Sequence, residues 1–153
     1  ALLALLFRHT ATLGVRERRR IVGMKELKGD SLIAAQDVEA AIAFGCYPVD
    51  IHRATKDKAV QFTRIKGDGI YSIPYSCMVS TKYPNVIAGC KAVYSDVVAF
   101  AAHRTMPSVM GIGNAAGVAA AIAAREGTDL RMLDPRQIQD IIRADYPDCS
   151  GKF

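Results

Sequence analysis

Three clusters in this chain of 153 residues carry side chains whose types and spacing could do chemistry. Arg16-Glu17-Arg18-Arg19-Arg20 is the dense basic run. Guanidinium forks in such a row can clamp a carboxylate or hydroxy acid, and the plainer alternative is a solvated strand face. Asp50-Ile51-His52-Arg53 sets an imidazole near a carboxylate. His52 is there either as a proton acceptor suited to neutral pH or as a surface loop residue. Arg104-Thr105-Met106-Pro107-Ser108 leads into a run of small residues. If that run is a helix starting at Ser108, its first free N–H groups and its dipole would stabilise an electron-rich oxygen. Arg104 would then touch the same ligand, or simply form an ion pair at the helix entrance.

The elements that must position these groups can be read from period and punctuation. Thr12 to Met24 is rich in β-branched residues and Arg and predicts one or two strands. Leu32, Ile33, Val38, Ala41 and Ile42 recur at near-helical spacing, which predicts a helix from Asp30 to Phe44 stopped by Gly45. Residues 46–69 read as a long loop with one short strand, Val60 to Ile65. Ile70 to Tyr75 reads as an edge strand because of Pro74, and Val86-Ile87-Ala88-Gly89 as a strand buried on both faces. The helix that Pro107 and Ser108 introduce should end at Gly127, with Gly113, Gly117, Ala120 and Ala124 as a bare face for close approach. Asp134-Pro135-Arg136-Gln137 opens a last helix whose buried stripe is Ile138, Ile141 and Ile142.

Composition narrows the function classes. Half of the residues are apolar, enough for a core, and the formal charge is +5 from 20 Lys+Arg against 15 Asp+Glu. A basic module without catalysis, binding nucleic acid or another anionic partner, is the alternative reading. The basic run lacks interleaved aromatics and the chain has no Trp, so no single-strand stacking platform is present and no nucleic-acid partner is expected. The apolar opening Ala1 to Phe7 is too short to span a bilayer and reads as a buried strand or helix start, so no membrane partner is expected. Opening on Ala1 in place of Met, the chain reads as a piece of something longer. Cys46, Cys77, Cys90 and Cys149 are scattered, as are the histidines. Reduced, individually buried thiols in a cytoplasmic protein with no structural metal are expected.

Gly111-Ile112-Gly113-Asn114-Ala115-Ala116-Gly117 invites comparison with a dinucleotide fingerprint. Its spacing is GxGxxxG, no strand precedes it, and no strand with an acidic end follows about twenty residues on. These 153 residues therefore hold no recognisable Rossmann phosphate turn. Several segments taken together nevertheless resemble one family. Gly14-Val15-Arg16-Glu17-Arg18-Arg19-Arg20-Ile21-Val22-Gly23 resembles G-x-R-E-[ST]-R-R-I-x-G, and Gly45-Cys46-Tyr47-Pro48-Val49-Asp50-Ile51-His52 resembles G-G-Y-P-[IV]-D-I-H. Tyr71 to Cys77 resembles Y-x-I-P-Y-R-C, and Asn85 to Gly89 resembles N-L-x-V-A-G. Arg104 to Ser108 resembles R-V-M-P-T, and Gly113 to Gly117 resembles G-Q-A-A-G. These stretches, in register from about residue 12 to residue 145, are similar to the C-terminal portion of FAD-dependent oxidoreductases of the glutathione-reductase and succinate-dehydrogenase type.

The resemblance implies an α/β fold, α+β if the chain stands alone. Residues 1–75 would belong to a substrate or cap domain, 76–126 to the FAD-binding domain, and 127–153 to an outer helix and tail. It implies hydride transfer between an organic small-molecule substrate and FAD. Gly89 would approach the ribityl or pyrophosphate, and Arg104, Thr105, Met106, Pro107 and Ser108 would line the isoalloxazine. Arg16, Arg19 and His52 would face the substrate, with His52 and Arg104 as the catalytic pair. A nucleotide-binding segment N-terminal to this chain would be the obligate partner. Cys90 stands where the family has Arg after Ala-Gly, Arg18 replaces Ser or Thr, and Val93 to His103 departs from S-x-T-H-x-A-x-G-S-T.

Overall fold

The computed structural model describes residues 19–38, 40–52 and 60–147. In chain order these form α1 (Gly29–Ile33), β1 (Ala41–Gly45), β2 (Val49–His52), β3 (Val60–Thr63), β4 (Tyr71–Pro74), α2 (Val97–His103), α3 (Met106–Glu126) and α4 (Pro135–Asp145). The class is mixed α/β with small antiparallel sheets, as expected. β1 pairs with β4, Gly45 opposite Tyr71, with a shift in register between Ala41 and Ala43. β2 pairs with β3, from Val49 opposite Thr63 to His52 opposite Val60.

α3 organises the core. Ile112, Ala115, Ala116, Ala119, Ile122 and Ala123 form its buried face, which packs on β1 and α4. One apolar cluster runs from Leu27 through Ile42, Tyr71 and Met78 to Ile138 and Ile142. Gly127, at φ 62° and ψ 31°, ends α3 in the left-handed cap that glycine favours. By length and composition α3 could cross a membrane. A third of its most apolar stretch is buried, and the helix packs on β1 and α4.

Several expectations need correction. The helix expected over 30–44 divides into α1 and β1. Ala35 turns the chain at φ 51°, and Ala41, Ile42 and Ala43 are all buried in succession. Three consecutive buried positions fit a covered strand, here packed on by α3 and α4. The long loop contains a strand that sequence reading missed, β2. Val86 to Gly89 is reduced to one isolated bridge, Ile87 to Val79, with Val86 and Gly89 exposed. α3 begins at Met106, so Ser108 lies inside its first turn and Thr105 takes the N-cap position without a side-chain bond. The expected bare face turns outward at Gly117, Ala120 and Ala124. Gly113 alone on that face meets a backbone, with a Cβ there 3.5 Å from the Gly89 carbonyl oxygen. Residues 12–18 of the expected first strand lie outside the described residues. Beyond them the chain is extended beside residues 77–95, bridging Gly23 to Ser80 and Leu27 to Ser95. Among the described residues Cys46 and Cys90 are exposed and Cys77 is buried, against the expectation of buried thiols, while Cys149 lies outside the described residues.

α2 was not foreseen, and one residue sets its start. Asp96 accepts from Ala99 N at 2.8 Å as the N-cap and from Gly29 N at 2.8 Å, tying α1 to α2. Asp134 caps α4 more simply, through Arg136 N at 2.9 Å. Asp134→Ala should cost about 1 kcal/mol, an ordinary capping loss. Asp96→Ala should cost about 2 kcal/mol or more, because two buried-end donors lose their acceptor. Urea unfolding of both variants checks the order; equal losses would mean that the Gly29 bond contributes nothing.

Candidate functional site

The amino end of α3 opens on a cleft of about 310 Å³. Phe44, Gly45, Cys46 and Tyr47 from the end of β1, Ile70 before β4, and Thr105, Pro107 and Ser108 line it. The sequence builds this place through close approach. A Cβ on Gly45 would lie 2.3 Å from the Tyr71 hydroxyl and 2.6 Å from Ser108 Oγ, so only glycine lets β1 press against both. Pro107 lacks an N–H where the first helical turn leaves donors unpaired anyway. What remains at the rim is the positive end of a long helix, flanked by hydroxyls and walled by apolar rings.

Electrostatics around this end follow from burial. Tyr71 lies beneath the cleft, and burial pushes its phenol up to about 12, partly offset by Ser108. Arg104 connects α2 to α3 and is partly buried. Its Nη2 lies 3.7 Å from Asp50 Oδ2 and donates to the Asp50 carbonyl oxygen at 3.4 Å. That contact is the ion-pair alternative stated for Arg104, and it fastens the helix entrance to β2. His103, one residue earlier, is completely buried, with Nε2 2.9 Å from Ser95 Oγ and Nδ1 without a hydrogen-bond partner. Arg20 donates to the Ser95 carbonyl oxygen at 2.6 Å and stands 5.5 Å from the centre of the Phe100 ring, which meets His103 edge-on.

Of the residues singled out from sequence, Thr105, Pro107 and Ser108 converge on the cleft. Met106 belongs to the same turn but is exposed, 80% open to solvent. Gly89 packs at α3, a Cβ there falling 3.1 Å from Ala116 Cβ, and is not among the cleft's lining residues. His52 closes β2, which also holds Arg104's partner Asp50. Arg19 is exposed, and Arg16 lies outside the described residues. Sequence reasoning gave no role to Phe44, Cys46, Tyr47, Ile70 or Tyr71. The signal existed, since Gly45-Cys46-Tyr47-Pro48 and Tyr71 stand in two of the motifs quoted above. Among the described residues no group of His, Cys, Asp or Glu could hold a metal ion.

A planar ring with one polar, electron-rich edge fits this arrangement. Apolar walls suit its faces, and the helix end with its hydroxyls suits the edge. A family model described as FAD dependent oxidoreductase matches residues 4–142. No curated protein and no solved structure shows a significant match.

His103 makes stability depend on acid. Burial holds its imidazole down at about 4 from an ordinary 6.5, with Arg20 pushing the same way and Asp96 opposing. The unfolded chain therefore takes up this proton near pH 6.5, whereas the folded one resists until about 4. The contribution is complete above pH 6.5 and fades as pH falls through that window, by about 3 kcal/mol in all. Urea midpoints from pH 7 to 4 should show this loss, and His103→Gln should lack it; an imidazole titrating near 6.5 by NMR would contradict the account.

Proposed function

This chain belongs to the FAD dependent oxidoreductase family, and on that premise we propose that the cleft at the start of α3 receives the pyrimidine edge of the isoalloxazine ring. FAD is the cofactor that membership implies, and when bound it supplies the two-electron chemistry of the enzyme. The observation that carries the reading is the convergence of Thr105, Pro107 and Ser108 with the apolar walls of Phe44, Tyr47 and Ile70 around one helix end.

The protein's own work is positioning. Free N–H groups of the first turn of α3 would hold the polar edge, and the helix dipole favours that edge as it gains charge. Tyr47 and Ile70 keep water from one face. Arg104, between α2 and α3, reaches Asp50 on β2 and so helps to orient the helix end. We assign the reaction as hydride transfer between an organic substrate and FAD, with His52 and Arg104 on the substrate side together with Arg16 and Arg19. In the whole enzyme residues 1–75 belong to a substrate or cap domain, 76–126 to the FAD-binding domain, and 127–153 to an outer helix and tail. Because no strand–GxGxxG–helix stands in these residues, a separate nucleotide-binding segment completes the site, and the isolated chain holds FAD weakly or not at all. Neither nucleic acid nor a membrane is required as a partner. The setting proposed is reducing and cytoplasmic, in keeping with four cysteines scattered through the sequence without a close pair.

Cys46 lines the cleft and is exposed, so a larger side chain there plugs the cleft at little cost to folding. With the nucleotide-binding segment supplied, the protein should retain flavin in near-stoichiometric amount, seen by its visible absorbance. Cys46→Trp should weaken FAD binding by about tenfold or more, with an unchanged urea midpoint. Undiminished FAD binding by the plugged variant would remove the cleft from the site.

A further inference from the structure

Two buried tyrosines near the core differ in one respect. Tyr75 donates its hydroxyl to the Leu130 carbonyl oxygen at 2.8 Å, an ordinary firm bond. Tyr71, only 1% exposed, has its hydroxyl 3.4 Å from Ser108 Oγ. Ser108, equally buried, has that same oxygen 3.4 Å from Thr105 Oγ1, and Thr105 in turn lies 3.5 Å from the Ala102 carbonyl oxygen. Ordinary O–H···O bonds run from about 2.5 to 3.0 Å, so all three links are slack. Buried phenols normally find a firm partner. This slack row starts beneath the cleft and ends on Thr105, which lines it.

We propose that Tyr71, Ser108 and Thr105 form a row of hydroxyl dipoles that tightens toward negative charge at the amino end of α3, making Tyr71 a positioning residue that favours the reduced cofactor over the oxidised one. The inference rests on the flavin reading given above. Each hydroxyl can donate once and accept twice, so the row can turn without moving a heavy atom far. As the edge gains charge, Thr105 turns its O–H from the Ala102 carbonyl toward it. Ser108 then donates to Thr105, and Tyr71 donates to Ser108. No proton leaves any of the three oxygens. Tyr71 remains a protonated donor at neutral pH because burial raises its phenol to about 12. Gly45 keeps the row in place, since β1 lies so near that a Cβ would overlap both the Tyr71 and Ser108 oxygens. Tyr71 and Ser108 are buried, so their dipoles act on nearby charge at low dielectric, and the reorganisation is confined to turning hydrogens and small shifts of the oxygens. Long hydrogen bonds that shorten only once the ligand is bound are common at such sites.

The test uses the FAD-loaded holoprotein and measures two quantities, affinity for oxidised FAD and the midpoint potential in a dye-referenced reductive titration. The potential, set against that of free FAD, gives the ratio of reduced to oxidised cofactor affinity, and the affinity shows whether the oxidised form is still held. Tyr71→Phe should leave oxidised FAD affinity within about twofold while lowering the ratio about fivefold. Ser108→Ala, which breaks the row at its middle, should lower the ratio at least as much and serves if Tyr71→Phe does not fold. Tyr75→Phe, which removes a firm bond away from the cleft, should leave the ratio unchanged. An unaltered ratio in both Tyr71→Phe and Ser108→Ala, with flavin still bound, overturns the hydroxyl row and leaves the flavin reading standing. A parent protein that takes up no FAD even with its nucleotide-binding segment supplied overturns both.

Discussion

Everything proposed for this protein depends on where α3 starts. A helix of 21 residues ends in unpaired N–H groups, and its usefulness to a ligand is decided by how firmly that end is aimed. Three contacts aim it. The face of Ile112, Ala115 and Ala119 is locked into the core against β1 and α4. The Arg104–Asp50 contact, at 3.7 Å, ties the entrance to β2. Gly45 lets β1 pass within van der Waals reach of Tyr71 and Ser108, which sets the depth of the first turn. A larger residue at 45 would push the strand off the helix and open the cleft floor.

The same packing divides the titratable groups into those that act and those that are kept silent. His103 and Tyr71 flank the helix entrance, and burial keeps both uncharged near neutral pH, His103 held down and Tyr71 pushed up. Neutral dipoles are then what lies beneath the cleft, while Arg104 stands beside Asp50 on β2 and is not among the cleft's lining residues. An electron-rich ring edge placed at Thr105 therefore meets aligned N–H and O–H groups, a softer field than a bare cation would give. That suits a cofactor which must be held in two redox states and not trapped in one.

Much of this was legible in the sequence, and the exceptions have physical causes. Asp134-Pro135 and Gly127 act locally, through a side-chain acceptor, a fixed φ and a missing Cβ, and the structure places each where the sequence does. Residues 30–44 misled because Leu32, Ile33, Val38, Ala41 and Ile42 mimic helical spacing, whereas burial of Ala41 to Ala43 is imposed by α3 and α4 from far along the chain. α2 was hidden because its N-cap, Asp96, stands in Val93 to His103, a stretch whose departure from the family pattern obscures the capping signal. At the site, the helix end and Thr105-Met106-Pro107-Ser108 were visible from order alone. The cleft's opposite wall was not, because Phe44, Tyr47 and Ile70 meet Pro107 only through the β1–β4 pairing.

The central claim is that the first turn of α3 faces the cofactor's electron-accepting edge. Amide NMR of the FAD-loaded protein, compared before and after chemical reduction, tests it most directly. The backbone amides of Met106 and Ser108 should move strongly on reduction, while that of Gly127, at the other end of the same helix, stays still. Unmoved Met106 and Ser108 amides, in a protein whose bound flavin has visibly bleached, would place the ring elsewhere and contradict the account.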